Sequence, residues 1–227
     1  MDVRTYHDME RHIEITKDGS ATLYNKELGE HYHSTHGAVQ ESMHVFINAG
    51  LEHYINKTGA KALSILEAGL GTGLNAMLTY QYATARGMDV YYEAIEAYPV
   101  TAEESRQLNY AQPGEQELFA LLHSSAWNEP VGLSKNFALK KVYTQLEAYT
   151  AARSFDVIYY DAFSPNAQPE LWTEKIFATM YGLLNDGGVL VTYCSKSIVQ
   201  KAMKAAGFTI QKLAGPPGKR EMIRAVK

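Results

Sequence analysis

The chain has 227 residues, 46% of them hydrophobic and 20% charged, which supports a real core in one large domain and excludes global disorder. Its single cysteine, Cys194, excludes an internal disulfide; lying in the apolar run VLVTYC, it suits a packed, inert thiol in a reducing cytosol. The net charge of −4 alone argues against a polyanionic partner, but residues 195–227 carry +7 and the first 194 residues −11. Such asymmetry fits a nucleic-acid-facing end, and equally fits solvated helix faces with an ordinary basic tail.

The N-terminal MDVRTYHDMERHIEI has no apolar signal region. The uncharged stretch Ala68–Ala85 holds glycines, Asn75, Gln81, threonines and tyrosines that make a poor membrane span. A soluble, cytoplasmic protein is expected. HIEITKDGSATLYN (12–25) alternates around a Lys-Asp-Gly-Ser turn and predicts a hairpin. After the polar GEHYHSTHG, apolar positions at helical spacing predict a helix over 38–56, so residues 1–57 read as a hairpin-and-helix extension and 58–227 as the main domain.

From residue 60 strands and helices alternate. Strands are expected at 62–68, 88–97, 137–143, 155–161 and 189–194, with helices from 74, over 99–109, 114–124 (opened by Pro113), 145–152, 171–184 and 195–206. FTIQKLA and EMIRAVK, joined by a GPPG turn region without a helix, must pair antiparallel. This predicts a doubly wound α/β fold: a mostly parallel seven-stranded sheet with an antiparallel C-terminal strand.

At the end of the first long strand stands Glu67-Ala-Gly69-Leu-Gly71-Thr-Gly73, whose glycines let a ligand lie against main-chain N–H groups. A dinucleotide fingerprint would need its last glycine at Leu74. Glu96, 23 residues beyond Gly73 at the next strand end, is placed to accept both hydroxyls of a ribose. Together these residues resemble the class I S-adenosylmethionine-dependent methyltransferases.

The strand FDVIYY ends in Asp161-Ala162-Phe163-Ser164-Pro165. In an open α/β sheet ligands sit beyond such strand ends, and with the fourth strand beside the first, Asp161 falls where a donated methyl group would lie. An alkylamine, with a pKa near 10, must lose its proton to attack; a carboxylate can orient it and balance the developing charge. Phe163 offers a wall for a flat base. The motif resembles the Asp/Asn-Pro-Pro-aromatic motif of amino-group methyltransferases, with Ala162 in place of the first proline.

LEAGLGTGLNA (66–76), FDVIYYDAFSPNAQPELWT (155–173), the Asn-Asp-Gly-Gly turn, GKREMIRA (218–225) and GEHYHSTHGAVQESMHVF resemble a stand-alone (MnmD-like) methyltransferase of the MnmC-type tRNA wobble-uridine enzymes, from about residue 27 to the end. The resemblance implies methyl transfer from S-adenosylmethionine to the primary amine of 5-aminomethyl(-2-thio)uridine at the wobble position, in the anticodon region of tRNA. No length remains for the flavin-dependent oxidase of the bifunctional relatives, so that step is expected to be absent. Carried over by position, Asp161 is catalytic and also lies against the cofactor. Glu67, Gly69, Gly71, Gly73, Asn75, Glu96 and Ala97 hold the cofactor, with Glu41 near its methionine end and Thr144 and Gln145 near its adenine. Phe163, Ser164, Pro165 and Trp172 shape the uridine pocket; Lys196, Lys219, Arg220 and Glu221 lie on the substrate side, the cations of 219 and 220 against phosphate.

His31, His33 and His36 invite a metal reading, but no cysteine pair or His-Glu-x-x-His helix accompanies them, and the expected chemistry needs no metal. The alternatives are a small-molecule amine methyltransferase or aminopropyltransferase, and a non-catalytic RNA-binding module.

Overall fold

The computed structural model describes residues 10–227. The signal-peptide expectation falls largely on residues 1–9, outside those described. Strands β1 (Arg11–Ile15) and β2 (Ala21–Asn25) form the expected hairpin, with Gly19 taking the left-handed conformation (φ 84°) that its turn demands. The two-residue β3 (Glu30–His31) pairs with β2 to complete a small antiparallel sheet.

The helix expected at 38–56 is a continuous rod: α1 (Ala38–Ser42), a π-helical stretch (Met43–Glu52) and α2 (His53–Thr58), ended by Gly59 at φ 70°. Val45, Phe46, Ile47 and Leu51 are buried against the large sheet and share its core, so the N-terminal segment is packed onto the fold. Gly50 meets Val191 of that sheet with no room for a side chain: a Cβ there would lie 2.8 Å from Val191 Cγ2.

The large sheet runs β10-β11-β9-β8-β4-β5-β7-β6. Its parallel centre is β4 (Ala62–Ala68), β5 (Asp89–Glu96), β7 (Phe137–Tyr143), β8 (Phe155–Tyr160) and β9 (Leu184–Thr192). Both of its faces are covered, which explains the near-continuous apolar runs of β4 and β8. The C-terminal hairpin of β10 (Thr209–Ala214) and β11 (Glu221–Val226) pairs antiparallel onto β9, as expected.

The sheet has eight strands, not seven. The additional one, β6 (Pro130–Ser134), carries Pro130 and Gly132 and so lacks a strand signature; it pairs antiparallel with β7 at the sheet edge through a bulge, where proline is tolerated. Helix α3 (Leu74–Arg86) starts where expected. α4 shrinks to Ala102–Arg106 behind a Thr101/Glu104 capping box, and α5 (Gln116–Ser124) starts after Pro113, which lies in the preceding turn. The expected helix at 145–152 is one 3-10 turn, Leu146–Ala148. The helix expected at 171–184 is a 3-10 turn, Pro169–Trp172, followed by α6 (Glu174–Leu183) capped by Thr173. Asn185–Gly188 belongs to β9 itself, because Gly188 runs against the Asp156 carbonyl of β8 with space for no Cβ. Helix α7 (Ser197–Ala205) completes the second face with α6. No helix among the described residues is long and apolar enough to cross a membrane.

Replacing Gly50 with leucine forces the rod off β9. The variant is expected to lose about 1–3 kcal/mol of stability in denaturant unfolding, and an unchanged midpoint would contradict this packing.

Candidate functional site

The C-terminal ends of β4 and β8 are joined through their backbones. Asp161 N–H donates to the Ala68 carbonyl (3.0 Å), and a Cβ on Gly69 would lie 2.9 Å from the Asp161 carbonyl oxygen. Gly69 has φ 95°, so both its conformation and its neighbour require glycine. The Gly69 and Leu70 N–H groups donate to the Ile95 carbonyl at 3.1 and 3.0 Å, which ties the same loop to β5. Glu96, at the β5 end, accepts from Gly71 N–H on Oε2 (2.8 Å) and from Tyr98 N–H on Oε1 (2.7 Å).

Over these strand ends lies a cavity of about 690 Å³, within the range of small-molecule sites. Glu96, Ala97, Thr144 and Gln145 line one end, Gly69, Gly71 and Asp161 its middle, and Phe163, Ser164, Glu41 and Lys219 the other. The small N-terminal sheet forms the roof. Arg11 anchors it by donating to Glu104 (Nε to Oε1, 2.8 Å) and to the Tyr32 hydroxyl (3.1 Å). On the opposite side Ser164 donates from its N–H (3.1 Å) and its hydroxyl to Glu30, while the Tyr32 ring meets Phe163 edge-on at 4.9 Å. Arg11, Glu30 and Tyr32 hold this roof in place, and the sequence did not single them out. The GEHYHSTHG resemblance flagged the segment of Glu30 and Tyr32, but their partners Ser164 and Phe163 lie 134 and 131 residues away and carry no local signal.

Asp161 is half-buried in the cavity wall. Its Oδ2 accepts from Asn75 Nδ2 at 2.8 Å, and Asn75 also donates to Glu67 Oε1 at 2.9 Å. Burial and the neighbouring Glu41 carboxylate push the Asp161 carboxyl up to about 7, against the lowering effects of the Asn75 hydrogen bond and the Lys219 ammonium. Burial holds fully enclosed Glu67 well above the usual carboxylate range. Burial also raises Glu96, opposed by the backbone N–H groups it accepts. Glu41 accepts from Ser34 N–H (2.7 Å) and from Lys219, whose ammonium sits 3.8 Å from the Tyr193 ring centroid.

The structure gathers Glu41, Gly69, Gly71, Glu96, Ala97, Thr144, Gln145, Asp161, Phe163, Ser164 and Lys219 in one cavity wall. Glu67 and Asn75 lie beneath it, and Gly73 caps the start of α3. Trp172 is also beneath: it is buried and donates from Nε1 to the Phe163 carbonyl at 2.8 Å, bracing the loop from behind. Pro165 lies outside the lining, and Lys196 donates to Asn166 Oδ1 at 2.8 Å. Lys219 points inward to Glu41, Arg220 is exposed, and Glu221 pairs with Lys212 at 3.1 Å, so the three neighbours face three directions. The basic C-terminal segment is likewise dispersed, since Arg224 donates to the Ala49 carbonyl and Lys227 to the Leu184 carbonyl. The histidines part as well: His31 meets Glu14, His33 lies buried between Thr22 and Thr72, and His36 packs on Gly218.

The site fits S-adenosylmethionine. Gly69 and Gly71 present bare backbone to the cavity, and the Glu96 carboxylate, fixed by the Gly71 and Tyr98 N–H groups, has the acceptor capacity that vicinal ribose hydroxyls require. Glu96→Ala is expected to weaken S-adenosylhomocysteine binding about 10- to 100-fold in calorimetry; undiminished affinity would remove Glu96 from the cofactor site.

Residues 130–227 match a family model described as S-adenosyl-L-methionine-dependent methyltransferase. The chain is 30% identical over 226 residues to the tRNA 5-methylaminomethyl-2-thiouridine biosynthesis bifunctional protein MnmC of Cupriavidus metallidurans, covering 92% of this chain and 32% of the relative. The MnmC protein of Aromatoleum aromaticum is 29% identical over 93% of this chain and 34% of its own. The chain thus spans about a third of the length of the curated relatives it matches. The crystal structure of MNMC2 from Aquifex aeolicus superposes with a TM-score of 0.81 at 24% identity, over 97% of this chain and 71% of that one, and shares its fold. Over its last 98 residues the chain is similar to the S-adenosyl-L-methionine-dependent methyltransferases.

Proposed function

We propose that the protein methylates the exocyclic primary amine of 5-aminomethyl(-2-thio)uridine at the wobble position of tRNA, giving 5-methylaminomethyl(-2-thio)uridine. The observation that carries this reading is Asp161: a carboxylate in the cavity wall at the β8 end, tied through Oδ2 and with Oδ1 left for a ligand. The names of the relatives, which concern 5-methylaminomethyl-2-thiouridine biosynthesis in tRNA, support it. The reading assigns this chain the methyl transfer alone, in the cytoplasm where tRNA is modified.

Bound S-adenosylmethionine supplies an electrophilic methyl group and leaves as neutral S-adenosylhomocysteine. Asp161 holds the amine by an N–H···O bond, aligns its lone pair, and takes the proton released as the N–C bond forms. A carboxyl near 7 lies about three powers of ten closer in proton affinity to an alkylamine, near 10, than an ordinary aspartate does. Phe163, steadied by Tyr32 and by Trp172 behind its carbonyl, forms a wall for the uracil ring. Lys196, Lys201, Lys204 and Arg220 are exposed and available to phosphates.

One observation favours the small-amine alternative: Glu30, Glu147 and Glu170 also line the cavity, as a polycationic amine would want. Glu30, however, is spent on Ser164, and Glu41 on Lys219. Labelled S-adenosylmethionine, offered with tRNA lacking the final methylation and with putrescine, separates the readings after nucleoside digestion. Label is expected in 5-methylaminomethyluridines; label in free amine alone supports the alternative, and no transfer at all supports a binding module.

Asp161→Asn is expected to reduce kcat about 100-fold or more while S-adenosylhomocysteine still binds. In the unaltered protein the carboxylate is the active form, so kcat/KM for tRNA should fall more steeply below about pH 7 than above it, where only the substrate amine still titrates. A profile with no change of slope between about pH 6 and 8 would remove the proton-accepting role.

A further inference from the structure

Asn75 stands in the first turn of α3, directly after the glycine loop, and is 2% exposed. It was expected to touch the cofactor, yet it lies outside the cavity lining. Both of its amide bonds go to carboxyl groups, Glu67 Oε1 at 2.9 Å and Asp161 Oδ2 at 2.8 Å. Its own Oδ1 is buried without a hydrogen-bond partner among the described residues. Leaving such an atom unpaired costs free energy, so the arrangement is not one that stability alone selects.

The geometry points to Asn75 as a positioning residue: it holds Asp161 by Oδ2 so that Oδ1 meets the amine, and Glu67, fixed on β4, sets the orientation of the Asn75 amide. An aspartate carboxylate rotates about its last torsion over a broad range, and the Asn75 bond is the side-chain hydrogen bond that stops it. A neutral amide between two carboxyl groups donates to both without adding charge. Burial favours the uncharged acid form of Glu67, which still accepts through Oε1 and does not repel the Asp161 carboxylate. The other groups that act on Asp161 are Glu41 from α1 and Lys219 from the β10–β11 turn, paired with each other, and Tyr92 from β5 and Tyr193 after β9, both held neutral by burial. None of these replaces the Asn75 hydrogen bond.

The inference rests on the Asp161 role proposed above, and its test separates the two. Asn75→Ala, Asn75→Ser, Glu67→Gln and Asp161→Asn are compared for melting temperature, S-adenosylhomocysteine affinity, kcat, KM, and the infrared titration of the Asp161 carboxylic C=O band, identified by its loss in Asp161→Asn. Asn75→Ala should lower kcat about 10- to 100-fold and change S-adenosylhomocysteine affinity less than about threefold. It should also move the band's midpoint above about 7, because the hydrogen bond that favours the carboxylate is gone. The serine variant is too short to reach both carboxyls and should behave alike if the alanine variant fails to fold. Glu67→Gln loosens the anchor of the Asn75 amide and should move kcat and the midpoint in the same direction as Asn75→Ala, by a smaller factor. An unmoved midpoint with unchanged kcat in the Asn75 variants, or cofactor affinity falling in step with kcat, overturns the inference. Full activity in Asp161→Asn overturns the role of Asp161 instead, while the midpoint still reports on Asn75.

Discussion

The site depends on a backbone contact with no spare volume. β4 and β8 pair in parallel register up to Ala68 opposite Tyr160, and one residue later Gly69 passes the Asp161 carbonyl where a Cβ would stand 2.9 Å away. Because parallel strands end on the same side, this pairing brings a glycine loop and a carboxylate from residues 92 positions apart into one wall. The loop is then tied to β5 through Ile95 and Glu96, so three strand ends act as one rigid edge. Methyl transfer needs nucleophile, methyl carbon and leaving sulfur in line, and strand ends tied together in this way fix where the groups around them can sit.

Much of this was legible from residue order. The buried runs ALSILEA and FDVIYY, read as strands at 62–68 and 155–161, are strands at Ala62–Ala68 and Phe155–Tyr160, and the terminal hairpin is antiparallel as the missing helix between its strands required. Glu96 and Asp161 stand out in the sequence because spacing from a glycine loop, and an abrupt strand end, are local signals, and both line the cavity. β6 was not, since Pro130 and Gly132 disguise an edge strand that its pairing with β7 alone defines. The direction of a side chain was equally hidden. Lys219 reads as a cation on an exposed turn, but Glu41, 178 residues earlier, and the Tyr193 ring draw it inward. Trp172 reads as a pocket wall, yet its indole N–H finds the Phe163 carbonyl from below.

The electrostatics follow from that same enclosure. Asp161, Glu67, Glu41 and Glu96 converge where water is scarce, and like charges in such a place are tolerated only when each has a hydrogen-bond donor or a proton. Backbone N–H groups serve Glu96, Lys219 serves Glu41, the acid form suits Glu67, and Asp161 is left near neutrality. The roof of β1–β3, latched by Arg11 on one side and Glu30 on the other, keeps the enclosure in place.

The arrangement is open to a structure determination of the protein with S-adenosylhomocysteine and an anticodon stem-loop carrying 5-aminomethyluridine at the wobble position. The amine nitrogen should lie about 2.7–3.2 Å from Asp161 Oδ1, facing the cofactor sulfur, with the uracil against Phe163. An amine bound away from Asp161, or a uridine that leaves the cavity empty, would contradict the assignment of this strand end as the place where the methyl group is transferred.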